Sequence, residues 1–332
     1  MTAFAAPPVL SRTPTAWIRM IWITWRQHRG ALAGIFALLG SLSLLLLLNG
    51  LAMRAALRDL GLTACHPMTM PRCAAQLNQF GAEYGGWAMY VPRFTEFAPM
   101  LIGAFSGGPL LARELESGTF RFAWTQGAGR TRWLIAKLAL LAAAVTAAAA
   151  AFTLLFSWWY QPLFAAGESL MTPRVFDMTG VDFAAWTLFA FALGAFAGVV
   201  IRRVVPAIAV TMAGWIAVAL SAALYLRFRY QPPVVVRATA PLPPRAYLLG
   251  TWMQTADGHR VSPRAVAQRL IAQNLPRSKW QAWAAAHDYT WWKAYQPESR
   301  FWHFQAIEGG SLLALALLLG AATLWWARRR TA

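Results

Sequence analysis

The chain has 332 residues, 58% of them hydrophobic and 13% charged, with 18 Trp and 19 Phe. A soluble domain carries about 25% charged residues, and here the apolar residues come in long blocks, so a polytopic membrane protein is favoured over one large soluble core. The net charge of +18 does not point to nucleic acid, because the basic residues are scattered between apolar blocks instead of lying along one face.

The first element lies in "TPTAWIRMIWITWRQHRG". Thr13 can cap a helix and Pro14 suits its first position. Arg19, Arg26 and Arg29 fall near one side at helical spacing, and Trp17, Ile21 and Trp25 fall on the other. A helix lying flat in the membrane interface is expected; the alternative is a simple extension of the first span. The first apolar block, 31–52, has no charge. At about 1.5 Å rise per residue it covers a hydrocarbon core of about 30 Å.

Cys65 and Cys73 follow in the next loop and are the only cysteines. The second block, 94–112, is less apolar and contains Pro99, Pro109, Gly103, Gly107 and Gly108. After it comes a compact mixed-charge stretch, "ARELESGTFRFAWTQGAGRTRWLIAKLALL". Its charges are Arg113, Glu114, Glu116, Arg121, Arg130, Arg132 and Lys137, and its flanks are almost uncharged. A Gly118–Thr119 break precedes a candidate short helix with Phe120, Phe122 and Trp124. Apolar and charged residues in one short segment suit docking into a partner's groove; a solvated loop is the plainer reading.

The third block is 138–160, the fourth 184–201 and the fifth 204–226, with Arg202 and Arg203 between the last two. Gly194 and Gly198 form a small-x-x-x-small pair that predicts close helix packing. The segment 227–303 is basic and Trp-rich. "SPRAVAQRLIAQNLP", with Ser262 as cap and Pro263 at its start, and "SKWQAWAAAHDYTWW" read as two helices. This segment is expected to be mostly helical: a folded cap lying on anionic lipid, or an exit platform for an amphiphilic cargo. The sixth block is 309–327, followed by Arg328, Arg329 and Arg330. Glu96 and Glu308 stand near the outer ends of spans two and six, and acids there are candidate transport-path residues.

Orientation follows from the short connections. The N-terminal flank, the mixed-charge stretch, the Arg202–Arg203 link and the basic tail all fall on one side if there are six spans. That side is cytoplasmic, with both termini on it. The loop 161–183 is poor in Lys and Arg and is therefore external. The cysteine loop is external too, where disulfides form. A Cys65–Cys73 bridge is expected; two free thiols, or a metal site with His66, are the alternatives, and these three ligands are too few for a closed zinc site. The expected organisation is an interfacial helix within 1–30, spans one to five over 31–226 with a coupling segment at 113–133, an external segment at 227–303, and the sixth span with its tail at 304–332. The fold class is an all-α polytopic membrane protein with six transmembrane helices.

This organisation resembles the ABC type-2 permeases, in particular an actinobacterial branch. The matching residues are Glu114, Glu116, Gly118 and Thr119, then Thr125 and Gln126, then "RTRW" at 130–133 with Lys137 opening span three. A second match is "QPESRFWHFQAIE" at 296–308, and a third is "WITWRQHR" before span one. The resemblance implies that 113–133 is a coupling helix seated on a separate cytoplasmic ATPase. Glu114 and Glu116 would be its conformational linchpins, Phe120 and Trp124 apolar anchors, and Arg130 and Arg132 its fixings at the membrane. It also implies an elbow helix before span one, and an exporter of two permeases and two ATPases in the cell membrane, moving a hydrophobic or amphiphilic compound outward.

A P-loop requires G-x-x-x-x-G-K-[ST], because the Lys reaches the phosphates and the Ser or Thr holds magnesium. The three lysines, Lys137, Lys279 and Lys293, precede Leu138, Trp280 and Ala294. ATP and magnesium are therefore expected on the partner, with no cofactor, metal or catalytic residue in this chain. Two other readings compete: a membrane transferase acting on lipid-linked substrates, which needs clustered acids or His, and a non-transporting scaffold or sensor.

Overall fold

The computed structural model describes residues 14–62, 71–118, 130–165 and 168–330. Helices α1 (Pro14–Asp59), α2 (Pro71–Thr95), α3 (Ala98–Ser106), α4 (Gly108–Ser117), α5 (Arg130–Ala165), α6 (Pro173–Met178), α7 (Asp182–Ile201) and α8 (Val204–Ser221) follow in order. A π turn, Ala222–Leu226, joins α8 to the single turn α9 (Arg227–Tyr230). The long helix α12 (Phe301–Arg330) closes the chain.

Among the described residues, five helices are long and apolar enough to cross a membrane: Ala33–Asp59, Thr131–Phe164, Asp182–Ile201, Val204–Tyr230 and Glu298–Arg329. They correspond to the first, third, fourth, fifth and sixth apolar blocks. The expected separate interfacial helix is a correction. Residues 14–59 form one unbroken helix, so the extension alternative describes this backbone. The only helix-weakening residue at the expected junction is Gly30, and a single Gly costs about 1 kcal/mol relative to Ala, too little to force a break in so long a helix.

The second expected span is also different, being a broken rod. The helix stops after Thr95, restarts as α3, and breaks again at Gly107 before α4. Pro99 and Pro109 sit in the first turns of α3 and α4. Proline cannot donate to the preceding turn and so marks a helix start.

The core is organised on α7, which packs against α3, α4, α5, α8 and α12. It is 61% buried, against 22–28% for the other four long helices. Its small residues explain the close approach of α3 and α4. A methyl group on Gly194 would lie 2.7 Å from both the Gly103 carbonyl oxygen and the Gly108 amide nitrogen. One on Gly198 would lie 2.5 Å from the Gly108 carbonyl oxygen. The sequence order of these contacts, Gly103 to Ala190 and Ala112 to Gly198, makes the α3–α4 rod parallel to α7. A second seam joins α1 to α5, where Trp159 Nε1 donates to Asn49 Oδ1 at 2.9 Å. Arg54 donates to the Trp158 carbonyl at 2.5 Å and lies 3.8 Å over the Trp158 ring.

Between α9 and α12 the chain builds a four-stranded antiparallel sheet in the order β1-β4-β2-β3. The strands are β1 (Val234–Arg237), β2 (Tyr247–Gln254), β3 (Arg260–Val261) and β4 (Thr290–Gln296). Helices α10 (Pro263–Ala272) and α11 (Trp280–Ala286) pack Val266, Leu270 and Ala284 against Met253. This corrects the expectation of a mostly helical segment. The first expected helix is present, with Ser262 at its N-cap but without a side-chain cap bond. The second ends at Ala286, and after a short turn the stretch enters β4 at Thr290. Thr290, Trp291, Trp292 and Tyr295 are β-branched or aromatic residues that suit a pleated, half-buried surface, as do Val234, Val235 and Val236 on the neighbouring strand β1, opposite Tyr295, Ala294 and Lys293.

If the glycine seam sets the α3–α7 distance, Gly194→Ala overpacks it and costs about 1–3 kcal/mol. Gly320→Ala, where an added methyl meets nothing within 4 Å, gains helix propensity instead. Thermal unfolding in detergent should show a lower Tm for the first and an equal or higher Tm for the second. Equal shifts would remove the seam as a constraint.

Candidate functional site at the two ends of α7

At the first end, four elements converge on Arg227. The π turn before it is a one-residue expansion of the helix, a feature frequent at functional sites. Arg227 Nε donates to Glu308 Oε2 at 2.8 Å and Nη2 to Glu308 Oε1 at 2.5 Å. Nη2 also pairs with Asp177 Oδ1. Trp186 Nε1 donates to Glu308 Oε1 at 3.1 Å. The guanidinium carbon stands 4.9 Å over the Phe176 ring. Arg227 from α9, Asp177 from α6, Trp186 from α7 and Glu308 from α12 are thus one bonded group.

Asp182 lies beside them at the start of α7, fully buried, with neither carboxylate oxygen hydrogen-bonded. One oxygen from each of Asp177, Asp182 and Glu308 falls within 4.8 Å of the others. Such an oxygen set suits a hard cation. Here the guanidinium of Arg227 already supplies the positive charge. At Asp177, outside the long helices, burial pushes the carboxyl up and the neighbouring Arg227 pulls it down, with burial prevailing.

Gln305 fixes the backbone under this group. Its Oε1 accepts from the Val181 and Asp182 amides at 2.8 and 3.1 Å, and its Nε2 donates to the Phe176 and Thr179 carbonyls at 3.0 and 3.2 Å. Gln305 therefore caps α7, whose first amides have no partner in their own helix. Gly180 has φ +67, and a methyl there would lie 2.5 Å from Gln305 Oε1, so glycine is required on both counts.

A cavity of about 230 Å³ opens beside the group, lined by Glu96, Phe97, Asp177, Trp186, Trp215 and Arg227 among others. Glu96 stands in the break between α2 and α3, 4.0 Å from Arg174. Of the expected transport-path acids, Glu96 thus borders this cavity. Glu308 is 1% exposed and fully engaged, in contrast to the hydrated position expected at an interface. Sequence reasoning missed Arg227 as a site residue, and it weighed Asp177 and Asp182 only as loop charges and as acids without motif spacing for the transferase reading. A signal existed: Arg227 directly ends the fifth apolar block and Glu308 directly precedes the sixth, so opposite charges stand at adjoining ends of consecutive spans.

At the other end of α7, about 30 Å away for a helix of this length, lies the start of the mixed-charge stretch. Glu114 Oε1 accepts from Lys137 Nζ at 2.5 Å, and Lys137 is fully buried. Its ammonium also stands 4.8 Å over the Trp133 ring. Exposed Glu116 accepts from the Val204 backbone amide at 3.1 Å, at the positive end of α8. Gly118 ends α4 in the left-handed region, φ 71. Arg130 opens α5 and Arg132 is exposed. Thr119, Phe120, Trp124 and Gln126 lie outside the described residues, as do Cys65 and the expected short helix. Cys73 is buried and disulfide-bonded.

The family described as ABC-2 membrane transporter related matches residues 36–227, more than half of the chain, and the chain belongs to that family. It is accordingly a membrane-embedded protein and a membrane component of the ABC-transporter class, which as a class associates with an ABC ATPase. No curated protein and no solved structure matches it.

Removing one partner of a buried ion pair costs about 3–5 kcal/mol, because the other charge is left uncompensated, whereas replacing the pair by apolar groups is often close to neutral. Arg227→Met is therefore expected to shorten the half-life in detergent sharply, and the triple variant Arg227→Met/Glu308→Met/Asp177→Asn, which removes both counter-charges, to recover much of it. A triple variant no better than the single one would mean that the group is not coupled in this way.

Proposed function

We propose that this chain is the permease of an exporter that moves a hydrophobic or amphiphilic compound out of the cell, powered by ATP and magnesium on a separate ATPase. The observation that carries this reading is how the mixed-charge stretch is anchored. Glu114 ties α4 to α5 through buried Lys137, and Glu116 ties α4 to the first turn of α8. A push delivered anywhere in 113–133 reaches α4, α5 and α8 together, and α4 rides on α7 through the glycine seam. A solvated loop needs no such bonds.

In this reading the α3–α4 rod counts as the second of six spans, both termini are cytoplasmic, and the assembly holds two permeases and two ATPases in the cell membrane. The first turns of α1, where Arg26 stands 5.5 Å over Trp22, take the interfacial elbow role as an extension of span one. Cys65 pairs with Cys73 outside. Phe120 and Trp124 anchor the coupling segment in the ATPase, and Arg130 and Arg132 hold it at the membrane. Glu114 and Glu116 act inside the permease, passing motion on rather than gripping the partner.

The test is co-purification with a co-expressed ABC ATPase, with hydrolysis and vesicle transport measured together. Trp124→Ala should weaken capture. Glu114→Gln and Glu116→Ala should leave capture intact but lower transport per ATP by about tenfold, the effect of about 1.4 kcal/mol of lost coupling. Full coupling in all three variants would return the segment to a solvated loop.

A further inference from the structure

The cavity beside Arg227 has a chemistry that selects its occupant. This protein carries +18 net charge and only 12 acids. Yet Glu96, Asp177, Asp182 and Glu308 all lie in or directly behind the wall of this one cavity. The cations facing them are Arg227, Arg174 and Arg93. Arg227 spends its donors on Asp177 and Glu308. Arg174 is exposed and only 4.0 Å from Glu96, beyond hydrogen-bond length. Arg93 is exposed. Glu96, therefore, is a lining carboxylate whose nearest cation is an exposed arginine at 4.0 Å, with no cation hydrogen-bonded to it.

The remaining wall is aromatic. Phe97, Phe183, Trp186 and Trp215 line it, and Trp186 and Trp215 meet edge to face at 5.4 Å. Aromatic faces attract cations and repel anions. The buried Trp215 indole N–H has no partner and offers one donor to an oxygen on a ligand. The mouth is apolar: Phe97, Ile216 and Leu220 are 44%, 40% and 53% exposed on the flank of helices that cross the membrane. Drug-sized sites enclose about 300–1,000 Å³, so a cavity of about 230 Å³ takes a head and the first carbons of a ligand, with the rest left in lipid.

We propose that this cavity binds a cationic amphiphile, its ammonium or comparable cation beside Glu96 and Asp177, its proximal body against the wall formed by Trp186 and Trp215, and its chain in the bilayer. The proposal rests on the transport reading for its purpose and deepens it by naming the cargo class. Binding itself needs no ATPase, so the two can fail separately.

The experiment uses the whole chain in nanodiscs of zwitterionic lipid, with dodecyltrimethylammonium and dodecyl sulfate below their critical micelle concentrations. The two probes share a chain and differ in head charge. Saturable binding above empty nanodiscs is expected for the ammonium and not for the sulfate. Glu96→Gln should weaken it about tenfold or more, the scale of losing one charged partner in a partly desolvated site. Ala219→Phe, which fills the cavity and keeps its charges, should abolish saturation. Glu298→Gln, in the exposed pair with Arg245, should bind as the parent does. Equal binding of the sulfate, no saturable binding of the ammonium, or parent-like binding by either Glu96→Gln or Ala219→Phe overturns the proposal. Failed ATPase capture with intact ammonium binding would instead count against the coupling reading alone.

Discussion

A guanidinium held among apolar helices must find its counter-charges inside the protein, since lipid supplies none. Arg227 meets this constraint by drawing together Glu308 from α12, Asp177 from α6 and, through Glu308, Trp186 from α7. Each of those residues is then supported. Gln305, one turn before Glu308 on the same helix, caps α7 and fixes the tight turn at Gly180. Phe301 and Phe304 pack on Phe176 and Met171, with Tyr247 of the sheet against them. The sheet is thereby tied to the helices rather than tethered by linkers: β1 follows directly from α9, and β4 leads within a few residues into α12.

The opposite end of α7 solves a similar problem with Lys137. A fully buried ammonium is costly unless paired, and Glu114 and the Trp133 ring supply the pairing. The two charge clusters differ in how they connect. The Arg227 group bonds helix to helix at the level of side chains. At the other end Lys137–Glu114 also joins two helices by side chains, but Glu116 reaches a backbone amide, that of Val204. Between them the helices touch through glycine and alanine, with backbone against backbone. Such a seam favours sliding or rocking of whole rods over local deformation, because packed interiors have few intermediate states.

Much of this was legible in the sequence where one physical signal dominated. Uncharged blocks long enough for a bilayer became long helices, and the Gly194–Gly198 spacing marked the close seam. Local rules failed where two signals competed. Gly30 stood where a break was expected, but helix continuation on both sides outweighed it. The stretch 278–292 shows helical spacing of Trp280, Trp283 and Ala284, and also a run of β-formers after it. The helix ends at Ala286 and the run pairs with β1 and β2, a long-range outcome no local window contains. The Arg227 cluster was hidden for the same reason. Asp177, Asp182, Arg227 and Glu308 come from separate parts of the chain, and only the π turn and the capped start of α7 bring them together.

The placement of acids bears on how a largely basic membrane protein can select a cargo. Its exposed cations attract anionic headgroups, and the same field favours anions generally along its surface. A cavity that also favoured anions would then be filled by the bulk lipid around it. Selection needs a site whose local potential opposes the surface field, and the carboxylates of Glu96, Asp177 and Glu308, gathered around the one guanidinium of Arg227 at one end of α7, supply that reversal. Asp182 adds a buried polar group behind this site. Its carboxyl is buried without a hydrogen bond, as is the Trp215 indole N–H in the wall, whereas Gln305 uses every polar atom it has. A buried carboxyl group without a partner holds its proton instead of its charge, so the potential of the cavity is set by the lining acids Glu96 and Asp177 and by Glu308 behind them.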